Sequence, residues 1–394
     1  MDAATLVTGA ALAHAGLPWA LHQKLGLGVV ERVRAGRGEV ALTFDDGPDP
    51  KTTPKVLEIL AREGTRATFF VLEPRAREHP ELIQELKAAG HEVALHGRVH
   101  RHAWLKNPFS LYPELKAAKE SLEDLLGEPV RFYRPPHGGW TWPLLWASLK
   151  LGLVPVGWEV EAGDWRKDAT PKAVAERVLA RTLPGSVVVM HDAGPGGRVT
   201  KEAISLLLPE LKARDYRPRP LGEAEVVVGN LKEAGPKLIR PVEEAFSRLF
   251  DVRPVAKNSS SLLRYAKAPL PADLPGFAKG TPAIELHLDS ERLRRALEIS
   301  PFHAVRLGRR SLAELKELVA TSEELQKYEV FFAVSHLDPV LKALGFRKSP
   351  LPPGYAKRVA VWIALLNLAY AGRLSLPGEV ALYSLAKEDL LRLY

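Results

Sequence analysis

Four clusters of polar residues interrupt an otherwise apolar pattern, and each has the residue types to do chemistry. The run 40–44 ends in Asp45-Asp46-Gly47-Pro48. Adjacent carboxylates raise each other's pKa and are costly unless used. Neighbours on a strand point to opposite faces, and Gly47-Pro48 breaks the strand. One carboxylate can therefore turn toward a cation while the other approaches a water; the plainer alternative is that both cap the following loop or helix. His96 and His100, at i and i+4 beside Gly97, can reach one cation from a single turn. With one carboxylate they form a His₂Asp donor set that suits zinc and leaves positions open for water and substrate. Two ordinary surface histidines are the alternative.

Arg134 follows an aromatic strand and precedes two prolines. It can hold a catalytic carboxylate through a bidentate contact, or make a structural ion pair. His191 ends the apolar run 187–190. With an acidic partner it becomes a candidate general acid, because its pKa lies near working pH. Asp164 is the partner candidate, and Trp165 beside it offers an apolar wall.

These residues need elements to bring them together. From residue 38, strand-like runs at 39–44, 67–72, 91–95, 131–134, 154–160, 186–190 and, weakly, 217–221 alternate with helical patterns at 53–63, 80–89, 112–126, 142–151, 171–182 and 201–213. Glycines at 64, 90, 127, 152 and 185 fall where helices should stop. Alternating βα units imply a parallel sheet, and about seven imply a barrel or barrel-like closure whose active face is the carboxyl ends of the strands. All four clusters sit at such ends.

The 394 residues exceed one ordinary domain, and the composition, 46% hydrophobic and 26% charged, is that of a packed chain. Absence of cysteine excludes disulfides and thiolate chemistry. The sequence divides into an N-terminal helical segment (1–37), the barrel (38–222), a connector rich in Gly, Pro and Glu (223–240) and a second, smaller α+β domain (241–394). Most of the net charge of +8 falls after residue 230. No basic-aromatic motif accompanies it, which excludes nucleic acid as a partner. Arg292, Arg294, Arg295, Arg306, Arg309 and Arg310 crowd one stretch there; they could meet an anionic polymer or membrane surface, or form ordinary ion pairs within the domain. Residues 3–21 carry no Asp, Glu, Lys or Arg. They read as a weak anchor or interfacial helix, or as a helix covering the barrel; no clear signal peptide is present. Segment 359–371 is too short to span a membrane and reads as a buried helix.

Thr43-Phe-Asp-Asp-Gly-Pro48, the His96/His100 pair, Arg134-Pro-Pro-His-Gly138, Asp164-Trp165 and Val187-Val-Val-Met-His191-Asp192 together resemble the five ordered motifs of the polysaccharide deacetylases, the NodB-homology carbohydrate esterases. The resemblance covers about residues 38–222 and implies a distorted (β/α) barrel of seven strands. It implies one divalent metal, most simply Zn²⁺, on Asp46, His96 and His100. Asp45 would be the catalytic base, His191 the catalytic acid, Arg134 the residue orienting Asp45, and Asp164 the residue tuning His191. His137, Trp165 and Val189 fall at substrate-binding positions. Gly97 stands where the family carries Ser or Thr, His137 replaces an aromatic, and Val189 replaces Leu. The second domain resembles a YkoP-like region, through pieces such as Ile284-Glu-Leu-His-Leu-Asp289. His287/Asp289 and His336/Asp338 end apolar runs there, as a second metal or catalytic site or as strand-end caps.

The reading is a metal-dependent N-deacetylase, a hydrolase of linear amides, acting on an N-acetylated sugar in a cell-envelope polysaccharide, oligosaccharide or glycolipid. The alternatives are a barrel hydrolase for another amide or an O-acyl ester, and an inactive carbohydrate-binding homologue. The cell envelope or association with a membrane is the expected location, the cytoplasm the alternative.

Overall fold

The structure is a computed structural model that describes residues 12–256, 261–371 and 375–394. Residues 3–11 of the uncharged segment lie outside it. The chain divides into two compact units, 1–234 and 235–394. Among the described residues no helix is long and apolar enough to cross a membrane.

The first unit is a curled half-barrel of seven parallel strands with helices outside. Its strands are β1 (Val30–Val33), β2 (Glu39–Asp45), β3 (Thr68–Leu72), β4 (Glu92–Gly97), β5 (Phe132–Tyr133), β6 (Val154–Pro155), β7 (Val160–Glu161), β8 (Val187–His191), β9 (Arg217–Arg219) and β10 (Val226–Val228). The sheet order is β6-β5-β4-β3-β2-β8-β7, with β9 paired to the start of β2. Side chains alternate as the period of two demands. Val40, Leu42 and Phe44 of β2 enter the core beneath the helices, while Ala41 joins Phe70, Ala94, Phe132 and Val187 inside the barrel. Thr43 and Asp45 share that inner side.

Stretch 154–160 is not one strand. It splits into β6 and β7 at opposite edges of the sheet, because the chain changes partners at Gly157. Gly157 N–H donates to Val30 O at 2.8 Å and Glu159 N–H to Val187 O at 3.0 Å. The gap is bridged by β1, which touches Val156 on one side and Ser186 on the other. β1 in turn pairs antiparallel with β10. Helix Gly194–Ala213 begins two turns before the expected residue 201. Glycines disguise its first turn, and packing explains them: a Cβ on Gly196 would lie 2.5 Å from the Cβ of His191.

In the second unit six strands, β11 (Arg253–Pro254), β12 (Leu263–Pro269), β13 (Pro282–Leu288), β14 (Val330–Ser335), β15 (Arg347–Ser349) and β16 (Ala381–Ala386), form one sheet in the order β11-β12-β13-β14-β16-β15. Stretch 223–240 holds β10 and the start of helix Leu231–Leu249, rather than an irregular connector. The helix runs through Pro236 and Pro241, and its apolar residues at helical spacing (Leu231, Leu238, Val242, Phe246, Leu249) are exposed. Helix Pro353–Ala371 contains segment 359–371 but is only partly buried, with Val361, Leu365 and Leu368 exposed. Being apolar on all sides, its sequence could not reveal which side packs.

The arginine crowd is largely spent within this unit. Arg294 pairs with Glu291 and Glu298, Arg295 with Glu291, Arg292 with Asp289, and Arg310 with Glu314. Asp289 caps its helix by accepting from Arg292 N–H and also binds Arg264; Asp338 binds Lys342 and Tyr383.

Candidate active site

β2 carries Asp45 to the rim of the barrel, and the chain then turns sharply. Asp46 takes a left-handed conformation (φ 79°), which Asp tolerates better than most residues. That turn separates the two carboxylates. Asp45 stays on the inner face of the strand, 3% exposed, while Asp46 swings toward the end of β4. There His96 ends an apolar strand and His100 returns from the loop after Gly97, whose φ of 108° favours glycine.

Asp46, His96 and His100 each offer a ligand atom, all within 4.8 Å of one another. The Nε2 atoms of His96 and His100 lie 3.3 and 3.0 Å from Asp46 Oδ1. Yet that buried oxygen has no aligned hydrogen-bond donor. A buried carboxylate oxygen on which two imidazole nitrogens converge is the donor set of a divalent cation site, and the residues fit one. Burial opposes the charge on Asp46, but the His100 and His96 rings more than offset it and hold the carboxyl well below its ordinary range. His96 Nδ1 is buried and has no partner among the described residues. With Gly at position 97, no side chain there can supply one.

Asp45 is held from the opposite side of the barrel. Arg134, fully buried, donates through Nη1 to Asp45 Oδ1 and to Thr43 Oγ1, both at 2.7 Å, and through Nη2 to Gly157 O at 2.7 Å. Its guanidinium lies 4.1 Å above the Phe70 ring. The contact with Asp45 uses one carboxylate oxygen, so it is not the bidentate fork considered from sequence.

His191 ends β8, beside β2. Asp164 grips it twice: Oδ2 accepts from the His191 backbone N–H at 2.7 Å, and Oδ1 lies 2.8 Å from Nδ1. Thr200 Oγ1 also donates to Asp164 Oδ2, at 2.7 Å. Burial would depress the imidazole, but the bond and charge of Asp164, followed by the charges of Asp45 and Asp46, push it up to about 9. Its neighbour Asp192 is raised to about 7, chiefly by burial, although Thr53 Oγ1 donates to its Oδ2 at 2.5 Å.

The other expected residues are distributed around this centre. Val189 is buried on the inner face, paired with Thr43. His137 is left-handed (φ 58°), stacked on His102 at 4.0 Å and edge-on to His100 at 4.4 Å. Burial, then the charges of His100 and His102, lower its pKa to about 4. Trp165 is 46% exposed and donates from its indole to Glu161 at 3.1 Å, so it is a rim residue rather than a closed wall. Thr53 and Thr200 escaped the sequence reading, and Thr43 and Asp192 entered it within motifs but without a role. Thr43 had a signal, lying two residues before Asp45 and hence on its face; Thr200 had none.

The chain is similar to known proteins in both of its units. The Polysaccharide deacetylase family profile matches residues 32–156, and the YkoP domain profile matches 233–373. A chitooligosaccharide deacetylase from Bradyrhizobium is 36% identical over 199 residues, 48% of this chain and 90% of the relative. One from Sinorhizobium fredii is 35% identical over 50% of this chain and 95% of its own. A peptidoglycan-N-acetylglucosamine deacetylase from Bacillus cereus is 33% identical over 45% and 66%. A crystal structure of a peptidoglycan N-acetylglucosamine deacetylase superposes with a TM-score of 0.48 at 27% identity, over 54% of this chain and 98% of that one.

Proposed function

This chain belongs to the polysaccharide deacetylase family, and on that premise we propose that it hydrolyses the acetamide of an N-acetylated sugar, releasing acetate and leaving a free amine. The observation that carries the reading is the juxtaposition of two separately held proton carriers, Asp45 on Arg134 and His191 on Asp164, around one cation-binding set. A protein that only binds carbohydrate has no use for either carrier.

Asp46, His96 and His100 would hold the metal, with Zn²⁺ the simplest choice for these donors. A divalent cation there supplies Lewis acidity to the acetamide carbonyl and acidifies water. Asp45 takes the proton of the attacking water. Arg134 occupies Asp45 Oδ1, which leaves Oδ2 to accept it. The backbone N–H at His137 is our candidate for the developing oxyanion. His191, protonated at neutral pH, then gives its proton to the departing nitrogen, which cannot leave as an anion. Val189 is the candidate wall for the acetyl methyl, with Trp165 at the rim.

The substrate class we favour is an N-acetylglucosamine oligomer or polymer of the cell envelope, as the names of the relatives suggest. The test is acetate release from chitotetraose by the full chain. Acetate stoichiometric with new amine supports the reading. Release only from O-acetyl esters, or none with metal present, refutes it.

A further inference from the structure

Three stretches of this chain, residues 3–30, 93–113 and 129–158, contain no Asp or Glu at all. The latter two carry His96, His100, Arg134 and His137, so they build one side of the site's rim. The described part of the first joins them: the His22 ring meets Trp142 edge-on at 5.0 Å, and Gln23 donates to His137 O at 3.2 Å.

Glu73 and Glu114 reach Arg98 and Lys106 from outside these stretches, and the surface the stretches build is also apolar. Helix Trp142–Lys150 presents Trp142, Trp146 and Leu149 at i, i+4 and i+7, a single stripe that is 41%, 58% and 58% exposed. The turn Pro108–Ser110 adds Phe109, 88% exposed, and Leu105 and Trp19 are exposed as well. Lys24, Arg101 and Lys150 are exposed and pair with no carboxylate among the described residues.

We propose that this rim is a docking surface for an anionic lipid bilayer, seating the mouth of the active site at the membrane interface. Indole rings favour the boundary where one end is wet and the other apolar. Leu105, Leu149 and Phe109 would enter the acyl boundary, and Arg101, Lys150 and Lys24, the last over the Trp19 ring at 4.9 Å, would meet anionic headgroups. Tyr112 lies against Trp146 at 5.5 Å and His22 against Trp142, so polar tips accompany the rings, but Leu149 and Phe109 are exposed apolar side chains on the same surface. Large exposed apolar patches of this kind mark interaction sites. The proposal does not depend on the deacetylation reading.

The test is co-sedimentation of the full chain with phosphatidylcholine vesicles, with and without phosphatidylglycerol. Binding is expected only with phosphatidylglycerol, weakening as salt rises. The double variant W146E/L149E should bind at least about ten-fold more weakly, while its rate on soluble chitotetraose stays within about two-fold of the parent. Lipids brominated near the headgroup should quench the parent's tryptophan fluorescence, and W142F/W146F should remove most of that quenching. Absence of binding to anionic vesicles, or parental binding by W146E/L149E, overturns the proposal. So does loss of binding to insoluble chitin in W146E/L149E without vesicle binding by the parent, which would make the rim a glycan platform. The chitotetraose rate reports separately on the deacetylation reading.

Discussion

Asp45 and His191 are register partners at the ends of adjacent parallel strands, so the proposed base and acid face one another across the β2–β8 pair. Each is fixed by a different residue from a different part of the chain, Asp45 by Arg134 and His191 by Asp164. Base and acid are therefore separable by mutation. Asp45→Asn should lower turnover of an N-acetyl oligomer by about 10²–10⁴-fold with metal content retained, as metal analysis of the purified variant would show. His191→Ala should cost a similar factor on the amide but much less on an aryl acetate, whose leaving group needs no proton. Equal losses on both substrates would remove His191 from the acid role.

The pH profile should report the Asp164 contact. His191 is raised to about 9, so it is protonated through neutrality and its donor form is lost as pH rises through that value. The native state gains stability from this proton below the ordinary value near 6.5, and loses it as pH rises through about 9. Asp164→Asn removes the dominant upward influence and leaves burial, which acts downward. The alkaline limb of kcat/KM should then move to lower pH, whereas a purely structural defect would lower the whole profile without moving the limb.

Arg134 is buried with a carboxylate, a hydroxyl and a carbonyl to satisfy. Lysine offers one nitrogen where the guanidinium spans Asp45, Thr43 and Gly157. Arg134→Lys keeps the charge beside Asp45 but cannot span all three acceptors, and should destabilise the first unit by about 1–3 kcal/mol, the range for leaving a buried polar group unsatisfied, read from denaturant unfolding. It should also lower kcat more than it raises KM, since Arg134 does not face substrate.

His96→Ala and His100→Ala should each abolish stoichiometric metal binding, because an open three-ligand site has no ligand to spare. Binding of Co²⁺, followed by its visible absorption, measures this without reference to activity. Parental affinity in either variant would overturn the ligand set.

Asp192 has a raised pKa, so its contribution runs opposite to that of an ordinary carboxylate. The folded state prefers it neutral: the associated stability is present below about 3.8 and is lost as pH rises through about 7. Asp192→Asn keeps an acceptor for Thr53 and removes the charge. It should raise Tm relative to the parent at pH 8 and change it little at pH 4.

Much of this site was legible because its residues end apolar runs, and ends of parallel strands converge. β2, β4 and β8 announced themselves in this way, and with them Asp45, His96 and His191. β1 did not: its four residues, Val-Glu-Arg-Val, include two charges, and its pairing partner is β10, nearly two hundred residues later. The division of 154–160 was hidden for a related reason, since only the neighbours on each side reveal where the chain changes sheets. Thr200 reaches Asp164 through tertiary packing alone. Nor did spacing disclose the left-handed turn at Asp46, although it is what sends the two carboxylates apart.

The pairing of β1 with β10 has a consequence for how this unit can be moved between proteins. The strand by which the chain enters the half-barrel lies hydrogen-bonded to the strand by which it leaves. Asp45, Asp46, His96, His100, Arg134, Asp164 and His191 all lie between those two strands. The unit is thus a closed loop in connectivity, a cassette that a host chain can accept at one surface point without being pried apart. Joining its ends and opening it instead at the exposed turn after Gly127 should give a circular permutant with the same reactive centre.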